Sequence, residues 1–213
     1  MDCWEINGHT LEYFDDDHLY LVDGIEVPSI TEILKLKFGN KYSNINPDVL
    51  YQAATKGTNL HKAIEIYEKT GEESEFKTYD KYGIEDSNSL YELKNYKFLK
   101  KHYKFKVLEA EIPVILFYNE KPIAGGRIDL VLELNNEIGG GDIKRTSVLD
   151  KEYLAYQLNL YRIAYRQCYG VEWKFLKGIH LREEKRKFID IPINEEMALN
   201  LVKEYLEMEG NNE

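Results

Sequence analysis

Between Gly125 and Leu134 apolar and polar positions alternate: Ile128, Leu130, Leu132 and Leu134 fall on one side, Asp129, Val131 and Glu133 on the other. A period of two predicts a half-buried strand that holds Asp129 away from its apolar face. NNEIGGG then reads as a turn. A short second strand follows, with Asp142 and Lys144 on one face and Ile143 on the other. Spacing next turns helical. From about Val148 to Cys168 the residues Leu154, Leu158, Tyr161, Tyr165 and Cys168 form one apolar stripe with Gln157 beside it, and Gly170 stops the helix.

The same rules organise the flanks. HTLEYF and HLYLVD predict a β-hairpin over 9–23 closed by an Asp-rich turn. Ser29 and Glu32 have capping-box spacing, predicting a helix from Ile30 to about Phe38 before Gly39. Asn46-Pro47 opens another helix, which Gly57 is expected to stop, and a new one begins at Thr58 with Leu60, Ala63, Ile64 and Tyr67 on its buried side. Ser89 and Glu92 predict a second capping box and a helix to about Lys104, buried through Leu93, Phe98 and Leu99. Residues 107–117 read as a strand with Glu109 and Glu111 on one face. WKFLKGIHLR and RKFIDIPI read as a hairpin, and Asn194 caps a final helix from Glu195 to about Met208. The expected architecture is α/β: a mixed central sheet flanked by helices, preceded by a hairpin and a helical segment. It forms one domain over 1–213, with 1–105 N-terminal, 106–193 the core and 194–213 the last helix.

Composition narrows the setting. The hydrophobic content of 43% and 17 tyrosines argue against disorder. No apolar run approaches the roughly 18 residues of a membrane span, so no membrane partner is expected. The first residues lack a signal-peptide pattern, and the cysteines, Cys3 and Cys168, give no disulfide framework, so a cytoplasmic setting is expected. A net charge of −10 disfavours non-specific attraction to nucleic acid. Cations nevertheless concentrate at Lys94, Lys97, Lys100, Lys101, Lys104 and Lys106, and again at Arg182, Lys185, Arg186 and Lys187, while GEESE with Asp80, Glu85 and Asp86 forms an acidic loop. The basic groups are either solvated faces or backbone contacts.

Asp129, Asp142 and Lys144 are the residue types that phosphodiester hydrolysis requires: oxygen ligands for a hard cation and a positive group where charge develops. His61 and Glu65, four apart on a helix, share a face. Gly57-x-x-x-His61-x-x-x-Glu65, Gly126-Arg127-Ile128-Asp129, Asp142-Ile143-Lys144 and Gln157-x-x-x-Tyr161, in this order, resemble the motifs of the PD-(D/E)XK nuclease superfamily, RecB-like branch. VPSITEIL also resembles a segment near the start of its phage-type members. Ile128 replaces the proline of the family motif, and two cysteines exclude the four-cysteine iron–sulfur cluster of some members.

The resemblance implies a restriction-endonuclease-like core and a metal-dependent DNA nuclease, expected to be an exonuclease in phage or bacterial DNA processing. A single-strand or structure-specific endonuclease and a non-catalytic nucleic-acid-binding subunit are the alternatives. It implies one or two Mg²⁺ or Mn²⁺ ions held by Asp129 and Asp142 with His61, Glu111 and the Ile143 carbonyl. Lys144 would act on the water or the developing charge. Gln157 and Tyr161 would position the strand, and Arg127 is either a phosphate contact or a surface charge. The helices over 30–38, 47–56, 58–69 and 90–104 are expected to wall a channel lined by Lys94, Lys97, Lys101 or Lys104, through which DNA with single-stranded ends is threaded.

Overall fold

A computed structural model describes residues 1–15, 18–39 and 45–210. The chain is mixed α/β. Strands β1 (Asp2–Ile6), β2 (His9–Phe14), β3 (Leu19–Val22) and β4 (Ile25–Val27) form a sheet in sequence order. The hairpin expected over 9–23 is its middle, Asp16 and Asp17 of the expected turn lying outside the described residues, and β1 and β4 add one strand on each side. Helix α1 (Ile30–Phe38) starts at the reciprocal Ser29–Glu32 capping box and ends at Gly39.

Helix α2 (Pro47–Thr70) runs straight through Gly57 and stops at Gly71, which takes the left-handed conformation. The expected break and new start at Thr58 do not occur. Glycine ends a helix by adopting positive φ; Gly57 keeps helical geometry, at a cost of about 1 kcal/mol relative to alanine. Burial of Leu60, Ala63 and Ile64 beyond it offsets that cost.

The acidic loop contains a small hairpin, β5 (Lys77–Tyr79) and β6 (Glu85–Asn88), leading into α3 (Ser89–Tyr103). Asn88, one residue earlier than expected, caps α3 by accepting from Leu90 N. Ser89 instead accepts from Phe76 N. Glu92 is not a capping group but a buried partner of Arg145. Phe98 is exposed, not core.

The second sheet holds β7 (Lys106–Tyr118), β8 (Lys121–Leu134), β9 (Glu137–Lys144), β10 (Phe175–Arg182) and β11 (Lys185–Ile191) in the order β11-β10-β9-β8-β7. Neighbours are antiparallel except β9 and β10, which are parallel and joined by α4 (Lys151–Tyr169). The glycines of NNEIGGG are strand residues, correcting the expected turn. Asn135-Asn136, both at positive φ, make the reversal. Glycines fill β9 because larger groups occupy their side-chain positions: a Cβ on Gly140 would lie 2.0 Å from the Trp173 ring, and on Gly141 2.7 Å from Leu132.

Helix α4 starts at Lys151, capped by Asp150, rather than at Val148, and Gly170 ends it. α5 (Glu195–Gly210) follows Asn194, which accepts from Met197 N. The first sheet, α1, α4 and α5 share one apolar cluster with the large sheet. Residues of α2, α3, β8, β10 and β11 build a second. The large sheet is thus sandwiched, and the middle of β8 at Asp129 and the end of β9 at Asp142–Lys144 lie beside α2. Among the described residues no helix is long and apolar enough to cross a membrane.

Candidate metal centre

Pairing between β8 and β9 stops at Leu130↔Gly141. One residue further, the strands splay, and the Ile143 N–H that would continue the ladder donates to Asp129 Oδ2 at 2.6 Å. Asp129 stays within β8, and accepting this N–H fixes the orientation of its carboxylate. Glu111 on β7 sits between the pairs Ala110↔Leu130 and Ile112↔Ile128, opposite Asp129, with φ of 55°. A non-glycine residue in that region is strained, by about 1–3 kcal/mol, and here the strain accompanies a carboxylate aimed at a neighbouring helix. Glu109, expected on the same face, reaches Tyr165 of α4 instead. The β7–β8 register is unbroken from Glu109 to Ile112, and of the two glutamates Glu111 alone has positive φ.

From α2, His61 Nδ1 lies 3.6 Å from Asp129 Oδ1 and 3.7 Å from Glu111 Oε1. Its Nε2 lies 3.1 Å from the Ile143 carbonyl and donates to it when protonated, fixing the ring so that Nδ1 faces the carboxylates. The donor atoms of His61, Glu111 and Asp129 all fall within 4.8 Å of one another. An ion about 2.1 Å from each donor would separate cis donors by about 3 Å and trans donors by about 4 Å. The observed spacing fits a divalent cation. Ile143, anticipated as a ligand through its carbonyl, is engaged in orienting His61.

Asp142 stands outside the three-donor group. It is buried, and its Oδ1 accepts from Lys144 Nζ at 3.0 Å. Oδ2 is closer to Nζ, at 2.7 Å, but off hydrogen-bond alignment. Burial pushes its carboxyl up to about 6, against the pull of Lys144. Burial also raises Asp129, with His61 opposing and Glu111 adding. For His61, burial works downward, but the charge of Asp129 and the Glu111 carboxylate hold the imidazole up at about 9. Lys144 is likewise pulled down by burial and held above its ordinary value by Asp142 and Asp129. Without a metal, protonated His61 and Lys144 serve as counter-ions to the three carboxylates.

Gln157 and Tyr161 lie on the buried side of α4, so neither is an open substrate contact. The Gln157 Oε1 has no hydrogen-bond partner among the described residues. Tyr161 presses on Gly126, where a Cβ would be 2.9 Å from its ring, and this accounts for the glycine three residues before Asp129. Arg127 is no open phosphate contact: it pairs with Asp2 at 3.2 Å and with the ligand Glu111 at 3.4 Å and covers the Tyr13 ring. Glu65 pairs with Lys69 on the helix surface.

A cleft of about 680 Å³ opens over the site between the first half of α2 and the chain leaving β9. Its cations are Lys56, Lys144, Arg145 and Arg182, not the expected lysines of α3. Nor does α1 wall it, since that helix packs on α4 and α5. Arg145 directly follows the Asp142–Lys144 motif, a signal that could have singled it out; Arg182 belongs to the second basic run, and Lys56 carries no signal.

No protein-family profile and no curated protein matches the chain. Among solved structures it is similar to one described as "Crystal structure of SSO0001", with a TM-score of 0.37 and 15% identity over 84% of this chain and 86% of that one. That likeness is too distant to carry an argument.

Proposed function

We propose that the protein is a divalent-metal-dependent DNA nuclease with a restriction-endonuclease-like core, acting as an exonuclease on ends. The observation that carries this reading is the convergence of His61, Glu111 and Asp129 within 4.8 Å, beside the Asp142–Lys144 pair and beneath a cationic cleft. Those three side chains would hold Mg²⁺ or Mn²⁺. When bound, such an ion supplies Lewis-acid polarisation of a phosphodiester oxygen and lowers the pKa of water at the site.

The chain's own groups divide the remaining work. Ile143 keeps the His61 ring in the ligand orientation. Lys144 retains its proton and so acts as a cation toward the charge that builds on the phosphate, rather than as a base. Asp142 holds that ammonium in place. Arg182 neutralises a flanking phosphate along the cleft, while Arg145, held by the buried Glu92 carboxylate, stiffens the chain that leaves β9. Tyr161 supports the strand beneath Asp129 by packing on Gly126.

The test is incubation with labelled linear, nicked and covalently closed circular DNA, with Mg²⁺, with Mn²⁺ and with neither. Metal-dependent digestion of linear DNA from its ends is expected. Absence of cleavage with either ion would remove the nuclease reading, and closed single-stranded circles cut as fast as linear strands would make the enzyme an endonuclease.

A further inference from the structure

The two basic runs, far apart in sequence, meet in the fold. α3 packs beside β10 and β11. Arg186 of β11 lies over the Phe98 ring at 3.8 Å, and His102 stacks on the same ring with planes 8° apart. Phe98 is 46% and Tyr91 50% exposed, although the opposite face of α3 buries Glu92, Leu93, Tyr96 and Leu99. Tyr91, Lys94, Phe98, Lys101 and His102 follow helical spacing along one outer stripe, about 16 Å long at 1.5 Å per residue. Cations and exposed rings alternate along it. Lys97 and Lys100, pointing toward α2, pair with Glu73 and Glu68, whereas Lys94 and Lys101 have no ion pair among the described residues.

A buried polar strut ties this stripe to the cleft. Arg145, next to Lys144, donates to Glu92 Oε2 at 2.8 Å, and Glu92 Oε1 accepts from Glu183 N at 3.0 Å. Asn95 donates to the Glu183 carbonyl at 2.7 Å, and Arg186 donates to Asn95 Oδ1 at 3.2 Å. Glu92 and Asn95 are buried, so the strut fixes Arg186 and Phe98 relative to Arg145.

We propose that the outer face of α3 with Arg186 is a second nucleic-acid contact, along which a single strand leaving the cleft runs. Its phosphates meet Lys94, Lys101 and Arg186, and its bases stack on Tyr91 and on the exposed His102 ring that continues the Phe98 stack. Exposed rings take unpaired bases, and a chain of net charge −10 has little general attraction for a duplex. The inference rests on the nuclease reading for where the strand comes from.

The test is fluorescence anisotropy in EDTA, with an oligothymidylate of about 20 nucleotides and with a trinucleotide too short to span cleft and stripe. The double variant Tyr91→Ala/Phe98→Ala should weaken binding of the longer strand about tenfold or more and leave the trinucleotide unchanged. Lys101→Glu should weaken it and reduce the salt slope by about 0.7 or more. Both should hydrolyse a short chromogenic phosphodiester with Mn²⁺ at the wild-type rate. Unchanged long-strand affinity in both variants, tighter binding of blunt duplex, or no binding by the wild type would overturn the proposal. If the double variant is less stable to heat, Lys101→Glu decides alone. Phe98-dependent binding without any phosphodiester hydrolysis would remove the nuclease reading and keep the surface; hydrolysis with variant-independent binding would do the reverse.

Discussion

Gly126→Ala should damage the protein through one contact. The added methyl would sit 2.9 Å from Tyr161 Cε1 and 3.1 Å from Ile30 Cδ1, about 0.7 Å inside ordinary contact with the ring. Tyr161 is 6% exposed and Ile30 fully buried, so neither has open space to retreat into. Overpacking of this kind costs about 1–3 kcal/mol, which for a chain of this length lowers Tm by about 2–4 °C per kcal/mol. The displaced ring lies under the Asp129 strand, so cleavage should fall too, by up to about a hundredfold if the carboxylate moves by 1 Å. Gly57→Ala is the control of opposite sign. A Cβ there meets nothing within 4 Å and the backbone is helical, so it should stabilise by up to about 1 kcal/mol. The assay is urea denaturation of both variants and of Gly126→Ala/Tyr161→Leu, where the smaller side chain should recover part of the loss. A neutral Gly126→Ala, or a Gly57→Ala that loses stability, would refute the packing argument.

Three further outcomes follow from the site. His61→Ala should weaken Mn²⁺ binding more than Mg²⁺ binding, since nitrogen ligation suits the softer ion; calorimetric titration showing no change for either would take His61 out of the ligand set. Because a metal must displace the His61 proton, held at about 9, affinity should rise roughly tenfold per pH unit from about 7 to about 9, then level off; titration across that range in two buffers should show about one proton released. Asp142, pushed up to about 6, must be ionised to hold Lys144, so cleavage at saturating metal should fall as pH drops through about 6, and the Asp142→Asn variant should lack that limb.

How much of this was legible in the sequence depends on whether the determinant is local. The Ser29–Glu32 box, Asn46-Pro47, Gly170 and Asn194 act within one turn of helix, and their elements lie where the residues place them. Gly57 misleads because a glycine marks a helix end only when its backbone goes left-handed, and burial further along α2 decides that it does not. Gly139–Gly141 mislead for a tertiary reason: Trp173, Phe175 and Leu132 fill the space where their side chains would be. Ser89 and Glu92 have capping-box spacing, yet Arg145, over 50 residues away, claims Glu92. At the site, the family resemblance implied His61, Glu111, Asp129, Asp142 and the Ile143 carbonyl as ligands, but only the splayed strands and the positive φ of Glu111 single out the three whose atoms converge. The burial of Tyr161 and the diversion of Arg127 to Asp2 and Glu111 depend on contacts across the fold.

The central claim is that this metal centre, assisted by Lys144, hydrolyses phosphodiesters, and the most direct measurement compares wild type with Lys144→Ala on end-labelled linear single-stranded DNA with Mn²⁺. The wild type should digest the strand only with metal. The variant should still fold cooperatively and bind Mn²⁺ through His61, Glu111 and Asp129, yet fail to cleave. Cleavage by Lys144→Ala at the wild-type rate, or wild-type protein that binds Mn²⁺ and leaves the strand intact, would contradict the account.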